Sequence, residues 1–242
     1  MRNKTKIIVI VASVIAIALI AALVVAIANQ IDENKHRQEE LTQLFYEHYN
    51  NRINLFIDEN KNYSVGEVDI AFIGDSLTEG YDVSSYYQEY KVVNRGIGGD
   101  TTHGLLARLD ESIYQISPKV VVMLIGANNF QTMFENYEEL IISIKQNLPD
   151  SYLVICSLTS MGKEWGRNNH LAAFNNVKIK SLAQKHECPF VDLYTPLLNM
   201  ETNEIFEHYT TDGGHLTADG YKVLTENIKP VVDGLLNKNS TD

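Results

Sequence analysis

From about residue 65 onward, short apolar runs alternate with longer stretches in which apolar residues recur every three or four positions. The runs are Val68–Ile73, Val92–Asn94 behind Lys91, Val120–Ile125, Tyr152–Cys156 and Phe190–Asp192. The periodic stretches are Thr102–Ile116, Phe134–Leu148, Asn169–His186 and Thr217–Leu236. Runs with no polar alternation belong to strands covered on both faces, and strand-helix alternation builds βαβ units. The pattern therefore predicts an α/β domain with a parallel sheet of five strands. In such sheets ligands gather at the carboxyl ends of the strands, so the residues following each run are the ones with chemical interest.

Upstream the pattern differs. Residues 31–60 place Leu41, Leu44, Phe45, Tyr49, Ile53 and Phe56 at helical spacing among charges, which predicts an amphipathic helix packed on the domain. Ile7–Ala28 is 22 residues without a charge. As a helix it reaches roughly 33 Å, the thickness of a bilayer's hydrocarbon core, and so predicts a transmembrane helix. Arg2, Lys4 and Lys6 precede it while Lys35 and Arg37 follow, which keeps the short N-terminus inside. A cleaved signal peptide is the competing reading because Ala26-Ile27-Ala28 resembles a cleavage site, but the run exceeds the usual 7–15 residues or so of such a segment. Both readings send the remainder outside the cytoplasm. The expected organisation is a cytoplasmic terminus (1–6), a membrane span (7–28), a helical connector (29–62) and a catalytic domain (63–242).

Composition narrows the function. With 20 Lys+Arg against 31 Asp+Glu, a formal net charge of −11 opposes any polyphosphate partner, so nucleic-acid binding is excluded. Cys156 and Cys188 form no CxxC and have no Cys/His ligand spacing, so neither a disulfide framework nor a zinc site is indicated. No metal and no organic cofactor is expected.

Four strand-end or loop segments carry candidate chemistry: Gly74-Asp75-Ser76-Leu77-Thr78, Asn94-Arg95-Gly96-Ile97-Gly98-Gly99-Asp100-Thr101-Thr102, Gly126-Ala127-Asn128-Asn129 and Thr211-Asp212-Gly213-Gly214-His215-Leu216-Thr217. Singly each has a structural reading: Ser76 as a helix cap, the glycines as a turn, Asn128 as a turn residue, His215 as a satisfied loop histidine. Together they supply an acyl-transfer site. A serine hydroxyl needs a base within hydrogen-bond reach, and an imidazole is the usual one; His215 fits. Asp212, three residues earlier, can orient its ring and stabilise its charged form. A tetrahedral oxyanion demands fixed donors, for which the Ser76 N–H, a glycine N–H from the second segment and the Asn128 amide are candidates. Spacing leaves Gly98 and Gly99 equivalent.

The four segments resemble, in order, the blocks of the SGNH hydrolases, the GDSL-type lipases and acylhydrolases, over residues 65–236. The resemblance implies a flavodoxin-like three-layer α/β/α fold, Ser76 as nucleophile, Asp212 and His215 completing the triad, and Ser76, Gly99 and Asn128 as the oxyanion hole. Many relatives carry aspartate where this chain has Asn129. Two rival folds fit poorly: the G-x-S-x-G elbow fails at Thr78, and G-x-G-x-x-G from Gly96 fails at Thr101.

The expected function is an extracytoplasmic, membrane-tethered serine esterase acting on short acyl esters of carbohydrate or cell-envelope material. The alternatives are a lysophospholipase or thioesterase, an O-acyltransferase on the same triad, and an idle surface binding protein. The only tryptophan, Trp165, sits in the loop 157–169, either as an aromatic platform at the mouth of the site or as a loop anchor.

Overall fold

β-Branched and aliphatic residues fill the central apolar runs, and they pair into one parallel sheet. The strands are β1 (Ile70–Gly74), β2 (Val92–Gly96), β3 (Val120–Leu124), β4 (Tyr152–Cys156) and β5 (Phe190–Val191), in the order β2-β1-β3-β4-β5. This is the doubly wound order of flavodoxin-like folds, whose switch point lies between β1 and β3. The computed structural model describes residues 2–165 and 169–238, with the side chains of residues 2–6, 8–14, 16–18 and 238 outside the description.

Successive side chains on a strand point to opposite faces, and the core divides accordingly. Ala71, Ile73, Val121 and Met123 join one layer with helices α4 (Thr102–Ala107), α5 (Tyr137–Asn147) and α6 (Asn169–Lys185). Ile70, Phe72, Val120, Val122 and Leu124 face the other layer with α7 (Ala218–Lys238). Two single-turn helices, α2 (Ser76–Glu79) and α3 (Val83–Tyr86), follow β1, and a small antiparallel pair, β6 (Leu198–Asn199) with β7 (Glu204–Ile205), precedes the histidine loop.

The predicted helix over Thr102–Ile116 is interrupted: α4 ends at Ala107 and a π-helical turn spans Asp110–Tyr114. The break falls at Arg108, whose guanidinium is drawn inward to Asp100, the Arg95 and Gly74 carbonyls and the Ser112 hydroxyl. Cys156 and Cys188 are free and buried, and burial pushes the Cys156 thiol up to about 12.

At the N-terminus one continuous helix, α1 (Arg2–Asn60), replaces the two expected helical segments. The chain divides into two units, Met1–His48 and Tyr49–Asp242. Among the described residues no helix is long and apolar enough to cross a membrane, and much of the predicted span 7–28 lies outside the described side chains. Leu41, Leu44 and Phe45 of the predicted apolar stripe are exposed, whereas Phe56 is wholly buried. Its ring is surrounded by the guanidinium groups of Arg52, Arg95 and Arg108, 4.9, 4.8 and 5.8 Å from the ring centre. Arg95 is also fully buried and pairs with Glu59 while donating to Asn60 Oδ1 at 2.9 Å.

The last turns of α1 are thus integral to the second unit. Phe56→Ala is expected to lower its stability by about 3–5 kcal/mol, the usual range for a large buried aromatic truncated to alanine. Denaturant unfolding measures this, and a loss below about 1 kcal/mol would contradict the packing role.

Candidate active site

At the carboxyl end of β1 the chain turns abruptly into α2, and the residue that caps α2 is Asp75, not the serine. Its side chain accepts the Leu77 N–H at 3.1 Å. The capping reading of Ser76 therefore fails, which leaves its hydroxyl available for another partner. That partner is His215: its Nε2 lies 3.0 Å from Ser76 Oγ across 139 positions of sequence. On the far side of the ring, Nδ1 lies 2.7 Å from Asp212 Oδ2.

The histidine loop is rigid for local reasons. Asp212 Oδ1 accepts the backbone N–H groups of Gly214 and His215 at 3.0 and 2.8 Å, so one carboxylate oxygen shapes the turn and the other holds the ring. Partial burial, the largest single influence on Asp212, would raise its pKa. The His215 ring together with the His215 and Gly214 N–H groups outweighs it and holds the carboxyl down at about 2. The loop closes as a hairpin, with the Thr211 N–H and Thr210 hydroxyl both donating to the His215 carbonyl, at 2.9 and 2.7 Å.

The loop after β4 buttresses this hairpin. Gly162 N–H donates to Gly213 O at 2.7 Å, and Trp165 meets the His215 ring edge-on at 4.9 Å between centres. Gly214 must be glycine: a Cβ there would sit 1.9 Å from the indole. Trp165 is therefore a loop anchor, packed on the hairpin that carries the imidazole. Asn169 and Asn176 fix the same loop from α6, bonding the peptide groups of Met161 and Leu158.

The glycine turn after β2 is bonded to residues on both flanks of Ser76. Asp100 N–H donates to Ile97 O at 3.1 Å, closing a turn in which Gly99 has φ of +80°, the position that favours glycine in a type II turn. Ile97 N–H bonds Gly74 O, Gly98 N–H bonds Glu79 Oε2 and Thr101 N–H bonds Asp100 Oδ1. Among the described residues the Gly99 N–H meets no acceptor. Geometry thus separates Gly99 from Gly98 where spacing did not. The Ser76 N–H, at the start of α2, has no acceptor within its helix. Asn128 reaches the same turn, its Nδ2 donating to Asp100 O at 2.9 Å. Asn129 ties this segment to α4 by donating to Thr102 Oγ1 at 2.9 Å.

Three side chains that shape the site, Arg108, Asp100 and Glu79, escaped the sequence reading. Arg108 and Asp100 form an ion pair at 2.8 Å with side chains 1% and 2% exposed. The available signal was a charge falling within the apolar stripe of Leu105, Leu109 and Ile113. Glu79, which takes the Gly98 N–H, gave no such signal. Among the described residues no cluster of three or more His, Cys, Asp or Glu side chains has the arrangement of a metal site.

A hydroxyl bonded to an imidazole, itself bonded to a carboxylate, thus stands at the carboxyl end of a doubly wound sheet, where such sheets bind ligands. The chain belongs to the GDSL-like lipase/acylhydrolase family, whose model matches residues 72–223, and is an ester-bond hydrolase. It is 27% identical over 182 residues to a Rattus norvegicus protein named platelet-activating factor acetylhydrolase IB subunit alpha2, covering 71% of this chain and 79% of that one. A Streptococcus pneumonia structure, described in terms of platelet activating factor, superposes with a TM-score of 0.73 at 26% identity, covering 80% of this chain and 97% of that one. An acetyl xylan esterase, AlAXEase, shares the fold, with a TM-score of 0.59 at 19% identity over 68% of this chain and all of that one.

If Trp165 steadies the imidazole, Trp165→Ala should lower kcat/KM roughly tenfold, equivalent to about 1.4 kcal/mol, and Trp165→Phe should retain most activity. Steady-state kinetics of both variants tests this; full activity in Trp165→Ala would remove the buttress role.

Proposed function

We propose that the chain is a serine esterase in which Ser76 is the nucleophile, His215 the general base and acid, and Asp212 the group that orients the ring and stabilises its charged form. The observation that carries this reading is the continuous bond chain from Asp212 Oδ2 through both ring nitrogens to Ser76 Oγ, at 2.7 and 3.0 Å. In the first half-reaction Ser76 Oγ attacks the ester carbonyl as its proton passes to His215 Nε2. The oxyanion is met by the N–H groups of Ser76 and Gly99 and by the Asn128 amide, acting as preorganised donors. Collapse of the intermediate breaks the bond to the alcohol oxygen, which takes the proton from His215. Water then attacks the acyl-serine, giving its proton to His215, and the second collapse returns that proton to Ser76 and releases the acid.

Short acyl groups on a neutral alcohol such as a sugar are the favoured substrate. The relative's name, acetylhydrolase, points to a two-carbon acyl group. Beside Asp212 an open cleft of about 260 Å³ is lined by Glu164, Glu204 and Glu207, a field that opposes a phosphate-bearing alcohol. Residues 7–28 tether the enzyme to the membrane with the catalytic unit outside, a reading supported by their charge-free composition and basic N-terminal flank.

Ser76→Ala is expected to abolish hydrolysis of p-nitrophenyl acetate and labelling by a fluorophosphonate; retained turnover would refute the nucleophile assignment. The pH profile has a definite sign. Asp212 loses its charge only as pH falls through about 2, so it stays anionic across the working range. A general base must be neutral to accept a proton, so activity is expected to fall toward low pH while Asp212 keeps its charge. An enzyme with its optimum in acid would contradict that role.

A further inference from the structure

Glu79 closes α2, and one of its carboxylate oxygens, Oε2, accepts the Gly98 N–H at 2.5 Å. The other, Oε1, lies 3.5 Å from Arg52 Nε. Arg52 in turn donates to the Gly96 carbonyl from Nε and Nη2, at 3.1 and 2.9 Å, and its guanidinium lies over the buried Phe56 ring. The pair is only a fifth to a quarter exposed, with side chains at 19% and 25%, so it is less screened than a surface contact.

The consequence reaches the site. A charge-assisted bond to an N–H fixes the orientation of that peptide plane more firmly than a neutral one. Here the fixed plane joins Ile97 to Gly98, immediately before the residue whose N–H is left facing outward. Arg52 holds the carbonyl end of β2, Glu79 holds the next-but-one N–H, and Asp100 N–H closes the turn onto Ile97 O. Gly99 has no side chain and a positive φ, so nothing local to it would keep its N–H aimed; the restraint has to come from its neighbours.

We propose that Glu79, oriented by Arg52 from the last turns of α1, is a positioning residue that aims the Gly99 N–H at the oxyanion. This rests on the acyl-transfer reading above and extends it to a carboxylate outside the triad and to a helix outside the strand-helix core. Glu79 exchanges no proton with substrate. Its effect is on transition-state stabilisation, so it should appear in kcat and leave KM nearly untouched.

The test compares Glu79→Ala, Glu79→Gln, Arg52→Ala and Asn128→Ala in the full chain, with rates on p-nitrophenyl acetate normalised to sites titrated by a fluorophosphonate. The expected result is a fall in kcat of about 10- to 100-fold for Glu79→Ala, with KM within about threefold, and an equal loss of affinity for a boronic acid that mimics the tetrahedral intermediate. Glu79→Gln keeps an acceptor oxygen and should recover most of the rate, Arg52→Ala should lie between, and the acid limb should not move. If Asn128→Ala loses at least about tenfold while Glu79→Ala stays within twofold, the positioning role is refuted and the oxyanion reading stands. A deficit in Glu79→Ala that vanishes on normalisation to titrated sites overturns it in favour of a folding role. If Asn128→Ala is unimpaired, the oxyanion reading itself fails and this inference falls with it.

Discussion

A fully buried guanidinium cannot be left without partners, and the demands of Arg108 organise the carboxyl end of the sheet. Nε bonds Asp100, Nη1 bonds Arg95 O and Ser112 Oγ, and Nη2 bonds Gly74 O, all between 2.8 and 2.9 Å. One side chain therefore ties the last peptide of β1, the end of β2 and the turn that presents Gly99. Burial, the larger influence, pushes the Asp100 carboxyl above its usual range, and Arg108 pulls against it. A pair in which desolvation outweighs attraction contributes little to stability by itself. Its value lies in geometry, because the segment carrying Ser76 begins at Gly74 and the glycine turn ends at Asp100.

Around this fixed point the site is assembled from groups that each serve two purposes. Asp75 caps α2 and so releases Ser76 from that duty. Asp212 shapes its own hairpin with one oxygen and holds the imidazole with the other. The Asp100 carbonyl accepts from Asn128, which links the second and third segments. The imidazole is delivered from the far end of the chain by a loop braced against Trp165, so its position depends on the packing of the β4 loop as much as on its own sequence.

The strand-helix alternation was legible because near-continuous apolar runs have few other uses, and the five predicted runs overlap the five strands. Ser76, Asp212 and His215 were legible as residue types whose joint presence suits one chemistry. What stayed hidden depends on partners distant in sequence. The Gly98 N–H is taken by Glu79, 19 positions upstream, and the helix breaks after α4 at Arg108, whose contacts reach as far as Gly74, 34 positions away. Trp165 could be read either way from sequence, and Gly214 beneath its ring decides it. At the N-terminus the helical periodicity was visible, while the point at which α1 becomes part of the catalytic unit depended on the arginines that enclose Phe56.

Covalent catalysis through Ser76 requires its Oγ to form and lose an ester bond during turnover. Rapid acid quench of the enzyme mixed with excess p-nitrophenyl acetate, followed by peptide mass analysis, tests it directly. The expected result is a single acetyl group, on the peptide containing Ser76, appearing with the first turnover and decaying once substrate is exhausted. A quench in which hydrolysis proceeds with no acyl-protein, or with the acetyl group on another side chain, would contradict it.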